Sequence, residues 1–182
     1  WDIRGANPTV RYSKLTNPTP VGGVYGLATF DATGTITLDH CDIRDAAAQD
    51  VIAGPDVGGG ANVLMVTDCL IKGIHLTVGA HVDPIDLRGA APTSTVRRTM
   101  IIGDKTPTSA PAGSGTGFTN AFHDLPTDPH GSACNGLIFE ECIVVGSDDP
   151  GAQSILIQVG NSASTGIRMY DIIYEDRKST RL

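Results

Sequence analysis

Apolar residues recur along this chain in a broken alternation. Ile36-x-Leu38-x-x-Cys41-x-Ile43 is matched by Leu64-x-Val66-x-x-Cys69-x-Ile71 and by Leu137-x-Phe139-x-x-Cys142-x-Val144. Ile167-x-Met169-x-x-Ile172-x-Tyr174 follows near the C-terminus. Thr95-x-Arg97-x-x-Met100-x-Ile102 is a poorer copy, and Val10-x-Tyr12-x-x-Leu15 reads as the first. Most copies lie about 26 to 31 residues apart, a usual repeat period, and a loop insertion lengthens one step.

Alternation marks a strand with one buried face. The two-residue break resets the parity, so the chain turns a corner and buries the same side again. A third apolar run follows in several copies: Asp50-Val51-Ile52-Ala53, Pro84-Ile85-Asp86-Leu87-Arg88, Ser154 to Val159 and, more weakly, Asn120-Ala121-Phe122-His123. Gly-, Pro-, Ser- and Thr-rich loops lie between these runs. The pattern predicts an all-β fold, a right-handed single-stranded parallel β-helix (a solenoid) of about six rungs, each of three short strands. A β-sandwich of irregular hairpins is the competing fold, but it gives no reason for the break to repeat in register.

The repeat assigns Cys41, Cys69 and Cys142 to one inward column, as small buried hydrophobes rather than disulfide partners. Cys134 falls in a loop and is expected to be free. No CxxC or Cys/His spacing suggests a metal, and no cofactor is expected.

Composition narrows the function classes. The chain has 182 residues, few aromatics and a formal charge of −7. One domain, residues 1–182, is expected. The acidic balance and the lack of a basic cluster argue against nucleic acid. No apolar run approaches a membrane span. The start at Trp1 and the match of Asp2-Ile3-Arg4-Gly5-Ala6 to Asp86-Leu87-Arg88-Gly89-Ala90 place the first residues inside a rung. This reads as a segment of a longer chain. Outward positions Val63, Met65, Ile138 and Val145 point to a homo-oligomer, a trimer among the options.

The densest polar chemistry lies between Gly79 and Gly89. Aligning the repeats puts Gln49, Asp83, Asn120 and Gln153 at the start of the third strand. Asp83 shares the inward parity of Ile85 and Leu87, so a polar corner ladder is the first reading for it. Asp86 and Arg88 have outward parity, and His123 falls beside Asp86 in the adjacent repeat. Gln158 comes one repeat further, Ile52 lies on the other side, and His81 sits in the loop above. An Asp and a His on a groove face can act as base and acid near neutral pH. Catalytic candidates are therefore Asp86, His123 and His81, and Arg88, Asp83 and Gln158 are the substrate-binding set. The competing reading is a solvated Asp86–Arg88 pair of modest worth. Asp148-Asp149 could serve glycoside hydrolysis, but Asp45 and Asp104 hold similar turn positions, which favours a turn ladder. Asp124, Asp128 and His130 read as a turn cluster rather than a metal site.

The stretch Gly79 to Gly89, followed by a rung, resembles a motif of the pectate-lyase-like superfamily, roughly Gly-Ala-His-x-Asp-Gly-Ile-Gln. His81, Asp83 and Ile85 match it, whereas Pro84 replaces the Gly and Asp86 the Gln. The resemblance covers residues 62 to 174. It implies a parallel β-helix that binds or cuts polysaccharide, as pectate lyases, polygalacturonases and phage tailspikes do. The Gly-His-Gly and Arg-Ile-Lys motifs of polygalacturonases are absent, as is a calcium-binding Asp cluster, and these departures weigh against catalysis. The expectation is an extracellular or virion-surface protein, a phage spike or tailspike segment, that recognises surface polysaccharide and contacts its own copies or other virion proteins. A polysaccharide lyase or glycoside hydrolase is the alternative, and a structural spacer the third reading.

Overall fold

A computed structural model describes residues 2–17, 26–46, 50–53, 63–72, 75–76, 83–86, 94–103, 115–116, 120–124, 136–146, 155–159 and 166–175. Among the described residues there are strands and no helix. Three six-stranded sheets form, and within each every strand pairs in parallel with its counterparts one repeat away. The first sheet holds Asp2–Ala6, Gly26–Thr33, Asp50–Ala53, Asp83–Asp86, Asn120–Asp124 and Ile155–Val159. The second runs from Thr9–Arg11 to Arg168–Tyr170, and the third from Lys14–Asn17 to Ile173–Glu175. The architecture is compatible with a parallel β-helix. A short antiparallel pair, His75–Leu76 with Gly115–Thr116, was not foreseen.

The inward columns follow the alternation. Leu38, Val66, Val96 and Phe139 stack in the second sheet, and Leu15, Ile43, Ile71, Ile101 and Val144 in the third. All are buried and form one continuous core with Cys41, Cys69 and Cys142. Burying a side chain of this size stabilises by about 1.5–3 kcal/mol, so these columns dominate the apolar driving force.

Two copies of the repeat slip relative to the sequence reading. Val96 and Ile101 are buried, whereas Thr95, Arg97, Met100 and Ile102 are not, so the inward set here is Ser94-x-Val96-x-x-Thr99-x-Ile101. A one-residue slip exchanges the faces of a strand. The apolar weight of Met100 and Ile102 misled the reading, because Ser94 and Thr99 are polar yet inside. Their hydroxyls are satisfied there: the Leu64 N–H donates to Ser94 Oγ at 3.0 Å, and Thr99 Oγ1 donates to the Arg97 carbonyl at 3.0 Å. In the first copy Val10 pairs with Leu38 and Leu15 with Ile43. The inward set there runs Val10-x-x-Ser13-x-Leu15, and Tyr12 lies at the corner, 77% exposed.

One column unites these observations. Ser13, Cys41, Cys69, Thr99 and Cys142 occupy equivalent positions just after the corner. Each donates to the carbonyl two residues before it: Ser13 to Arg11 at 2.8 Å, Cys41 to Asp39 at 3.6 Å, Cys69 to Thr67 at 3.2 Å and Cys142 to Glu140 at 3.3 Å, with Thr99 as above. Five of the six copies place a small side chain with a donor here, as serine, cysteine or threonine, and the sixth has Ile172, packed against the core. The three thiols are free, as expected. Cys134 lies outside the described residues.

Candidate functional site

Strand pairing fixes where the predicted site residues stand. Asp86 is level with His123, and His123 with Gln158. The same column continues the other way through Ala53, Thr29 and Asp2. The equivalence of Asp2 and Asp86 expected from the sequence therefore holds, while the neighbour of Asp86 on that side is Ala53 rather than Ile52. Ile52 instead pairs with Ile85. Neighbouring strands lie about 4.8 Å apart, so Asp86, His123 and Gln158 span about 10 Å along the stack. For these three residues the backbone placement is what is described. Arg88 and His81 lie outside the described residues.

Asp83 is 1% exposed and Ile85 0%. The carboxylate thus faces the interior, in line with its inward parity. Its column differs from the expected one. Asp83 pairs with Asp50, Asn120 with Ile155, and Asn120 is level with Asp83 through the Ile85–Phe122 pair. Asp50 and Ile155 thus stand where Gln49 and Gln153 were expected, because the register follows the level positions Ile52, Ile85, Phe122 and Ile157 and not the preceding loops. Asp45 belongs to the strand Asp42–Ala46 rather than to a turn. Asp124 ends the strand Asn120–Asp124. Asp104, Asp128, His130, Asp148 and Asp149 lie outside the described residues.

The most developed polar array with described side chains is one the sequence reading missed. Between the second and third sheets each copy turns on a single residue of left-handed backbone: Tyr12, His40, Asp68, Arg98, Glu141 and Asp171, with φ of 45 to 54°. None is glycine, although the conformation costs an L-residue about 1–2 kcal/mol. Each corner N–H through Glu141 donates to a carbonyl of the following repeat, for example Asp68 to Arg97 at 3.1 Å and Arg98 to Glu140 at 3.0 Å. These bonds hold the turn with five different side chains, none of them β-branched.

The corner side chains meet between repeats. The rings of Tyr12 and His40 meet with centroids 5.0 Å apart, tilted by 36°. His40 Nδ1 is 2.7 Å from Asp39 Oδ1, and Arg11 Nε is 3.0 Å from Asp39 Oδ2. Arg98 donates through Nε and Nη2 to the two oxygens of Asp68, each at 2.6 Å. Arg97 reaches Glu140 at 3.3 Å and Glu141 at 3.4 Å. The hydrogen bond from Arg98 is the main reason that the Asp68 carboxyl is held below its ordinary value of 3.8. The same bond raises Arg98.

Asp39, His40 and Asp68 each offer one ligand atom, all within 4.8 Å of one another. Both carboxylates already take guanidinium partners, Arg11 on Asp39 and Arg98 on Asp68. A cation would have to compete with those arginines, so the array reads as an ionic rail along one edge. The signal that could have revealed it is that every corner position holds a polar or ionisable residue, with signs alternating from Asp68 to Arg98 to Glu141.

The buried thiols offer no chemistry in the ground state. Burial pushes Cys69 up to about 12 and also raises Cys142. A thiol so shifted stays protonated and is a poor nucleophile.

Compared with protein-family models, with curated proteins and with solved structures, the chain matches none.

Proposed function

We propose that this chain is a right-handed single-stranded parallel β-helix of about six rungs that recognises surface polysaccharide, as part of an extracellular or virion spike. The observation that carries the reading is the register of Asp86, His123 and Gln158. With the outward parity read from the sequence, that column lays a carboxylate, an imidazole and an amide along the stack, in line for successive polar groups of an extended glycan. Asp83 belongs to the frame of this site rather than to its contact surface.

A glycan array probed with the intact protein tests the reading. Binding to a defined acidic or neutral polysaccharide, lost in the Gln158→Ala and His123→Ala variants with folding retained, is the expected result. No binding across bacterial surface polysaccharides would favour the structural spacer instead.

The level placement of Asp86 and His123 favours one second reading, a lyase or glycoside hydrolase. An Asp and a His one strand apart can divide the base and acid roles. Release of unsaturated or reducing sugar ends, abolished by Asp86→Ala with His123→Ala, would establish it. Polysaccharide that is bound but left intact would exclude it at this site.

A further inference from the structure

The outward face of the third sheet changes character along the stack. Its first two repeats present Lys14 and Thr16, then Asp42 and Arg44. From the third repeat onward one column reads Leu70, Met100, Ile143, Ile173, and the column beside it Lys72, Ile102, Val145, Glu175. The residues between these columns, Ile71, Ile101 and Val144, are fully buried, so the two columns themselves face outward. Ile173 is 62% exposed, and Leu70, Met100, Ile143, Ile102 and Val145 are partly exposed. Six adjacent outward positions are therefore apolar, closed at one end by a lysine and at the other by a glutamate. The outward apolar residues noted from the sequence divide differently: Met65 and Ile138 belong to the second sheet, where Thr95 separates them, and of that set Val145 alone joins this face.

We infer that this face docks a second copy of the chain through a two-fold axis along the strand direction, with the two stacks running antiparallel. That operation brings the third repeat of one copy against the sixth of the other. Leu70 then meets Ile173 of the partner, Met100 meets Ile143, Ile102 meets Val145, and Lys72 meets Glu175. Every apolar position finds an apolar one, and the two terminal charges become opposite-sign pairs on both rims. A parallel pairing of the same faces needs an axis along the stack, which exchanges the two columns: Lys72 then lies on Leu70 of the partner and Glu175 on Ile173, each charge set against an apolar side chain without a counter-charge. An isologous two-fold contact is self-complementary in this way. The patch spans about 14 Å along the stack, three strand spacings. It is small beside the roughly 800 Å² per partner of a standard interface. A contact of this size is read as a concentration-dependent equilibrium rather than a permanent dimer. This inference does not depend on the polysaccharide reading.

Analytical ultracentrifugation over a concentration series tests it. The expected result is a monomer–dimer equilibrium, weakened about tenfold or more by Lys72→Glu and by Glu175→Lys separately, and restored when both changes are combined in one chain. Geometry is read independently by oxidative cross-linking in a Cys134→Ser background: Lys72→Cys mixed with Glu175→Cys forms a disulfide-linked dimer, and neither variant alone does. Circular dichroism confirms that each variant is folded. A protein that stays monomeric at high micromolar concentration, a trimer, or self-cross-linking of Lys72→Cys alone would overturn the inference.

Discussion

Arg98 grips Asp68 with two parallel hydrogen bonds, and both residues hold left-handed backbone at the same corner of successive repeats. Because this corner recurs, the pair joins two turns that are distant in sequence. It belongs to a chain of contacts that reaches Glu141.

That pair has a pH signature. The bond to Arg98 lowers the Asp68 carboxyl in the folded protein below its unfolded value. Its stabilisation is therefore present above the unfolded carboxyl value and is lost as pH falls through the lower, folded one. Arg98→Met should lower the melting temperature most at neutral pH, and the gap to the wild type should close once acid has protonated Asp68. Both carboxylate and guanidinium are solvent-exposed, so the effect is small and salt-sensitive. Thermal melts of both proteins across pH and ionic strength check it.

At the corners, bulk at Cβ matters more than polarity. Replacing Glu141 with valine should destabilise by about 1–2 kcal/mol, because a β-branched residue resists left-handed backbone. Asp171→Gly should be neutral or stabilising by up to about 1 kcal/mol, relief of strain offsetting lost chain entropy. Gly34 is the converse case. It has φ 84°, and a Cβ there would collide with the amide oxygen of Asn7, which accepts the Thr35 N–H at 2.8 Å. Gly34→Ala should therefore cost about 1–3 kcal/mol. Urea unfolding midpoints measure all three.

In the core, Ser94 and Phe139 mark two different costs. Ser94→Ala removes the acceptor for the buried Leu64 N–H and should cost about 1–3 kcal/mol. Phe139→Ala opens a cavity at a fully buried position and should cost about 3–5 kcal/mol. Thr37→Ala, on the outward face of the same sheet, should stay within about 0.5 kcal/mol. Chemical denaturation of the three variants orders them.

Burial also predicts how the thiols behave. In a Cys134→Ser background, Cys41, Cys69 and Cys142 should resist a soluble aromatic disulfide reagent in the native protein and react only after denaturation. Rapid labelling of the native protein at any of the three would contradict the inward column. At the same column, Cys69→Ser should be tolerated better than Cys69→Val, which keeps the bulk and loses the donor.

Much of the frame was legible because burial imposes a period of two that survives a corner. Leu38 over Val66, or Ile43 over Ile71, needs no more than that. Hydropathy is blind where a polar residue faces the core, as Ser94 and Thr99 do, because it cannot see a hydroxyl satisfied by a neighbouring N–H or carbonyl. The level placement of Asp86 and His123 was legible for the same reason as the core: aligning the buried Ile85 with Phe122 in the next repeat fixes the register. The ionic corner was not, because its charges alternate between repeats. Asp68 and Arg98 become neighbours only after the coil has formed.

The corners of this protein separate two tasks that most surfaces combine. The backbone bond across repeats holds the turn for tyrosine, histidine, aspartate, arginine or glutamate alike, so the choice among them is left to the residues directly above and below. That edge behaves as a one-dimensional text of charges written on a scaffold that accepts any unbranched letter. Exchanging a letter disturbs its two neighbours and leaves the rest of the line intact.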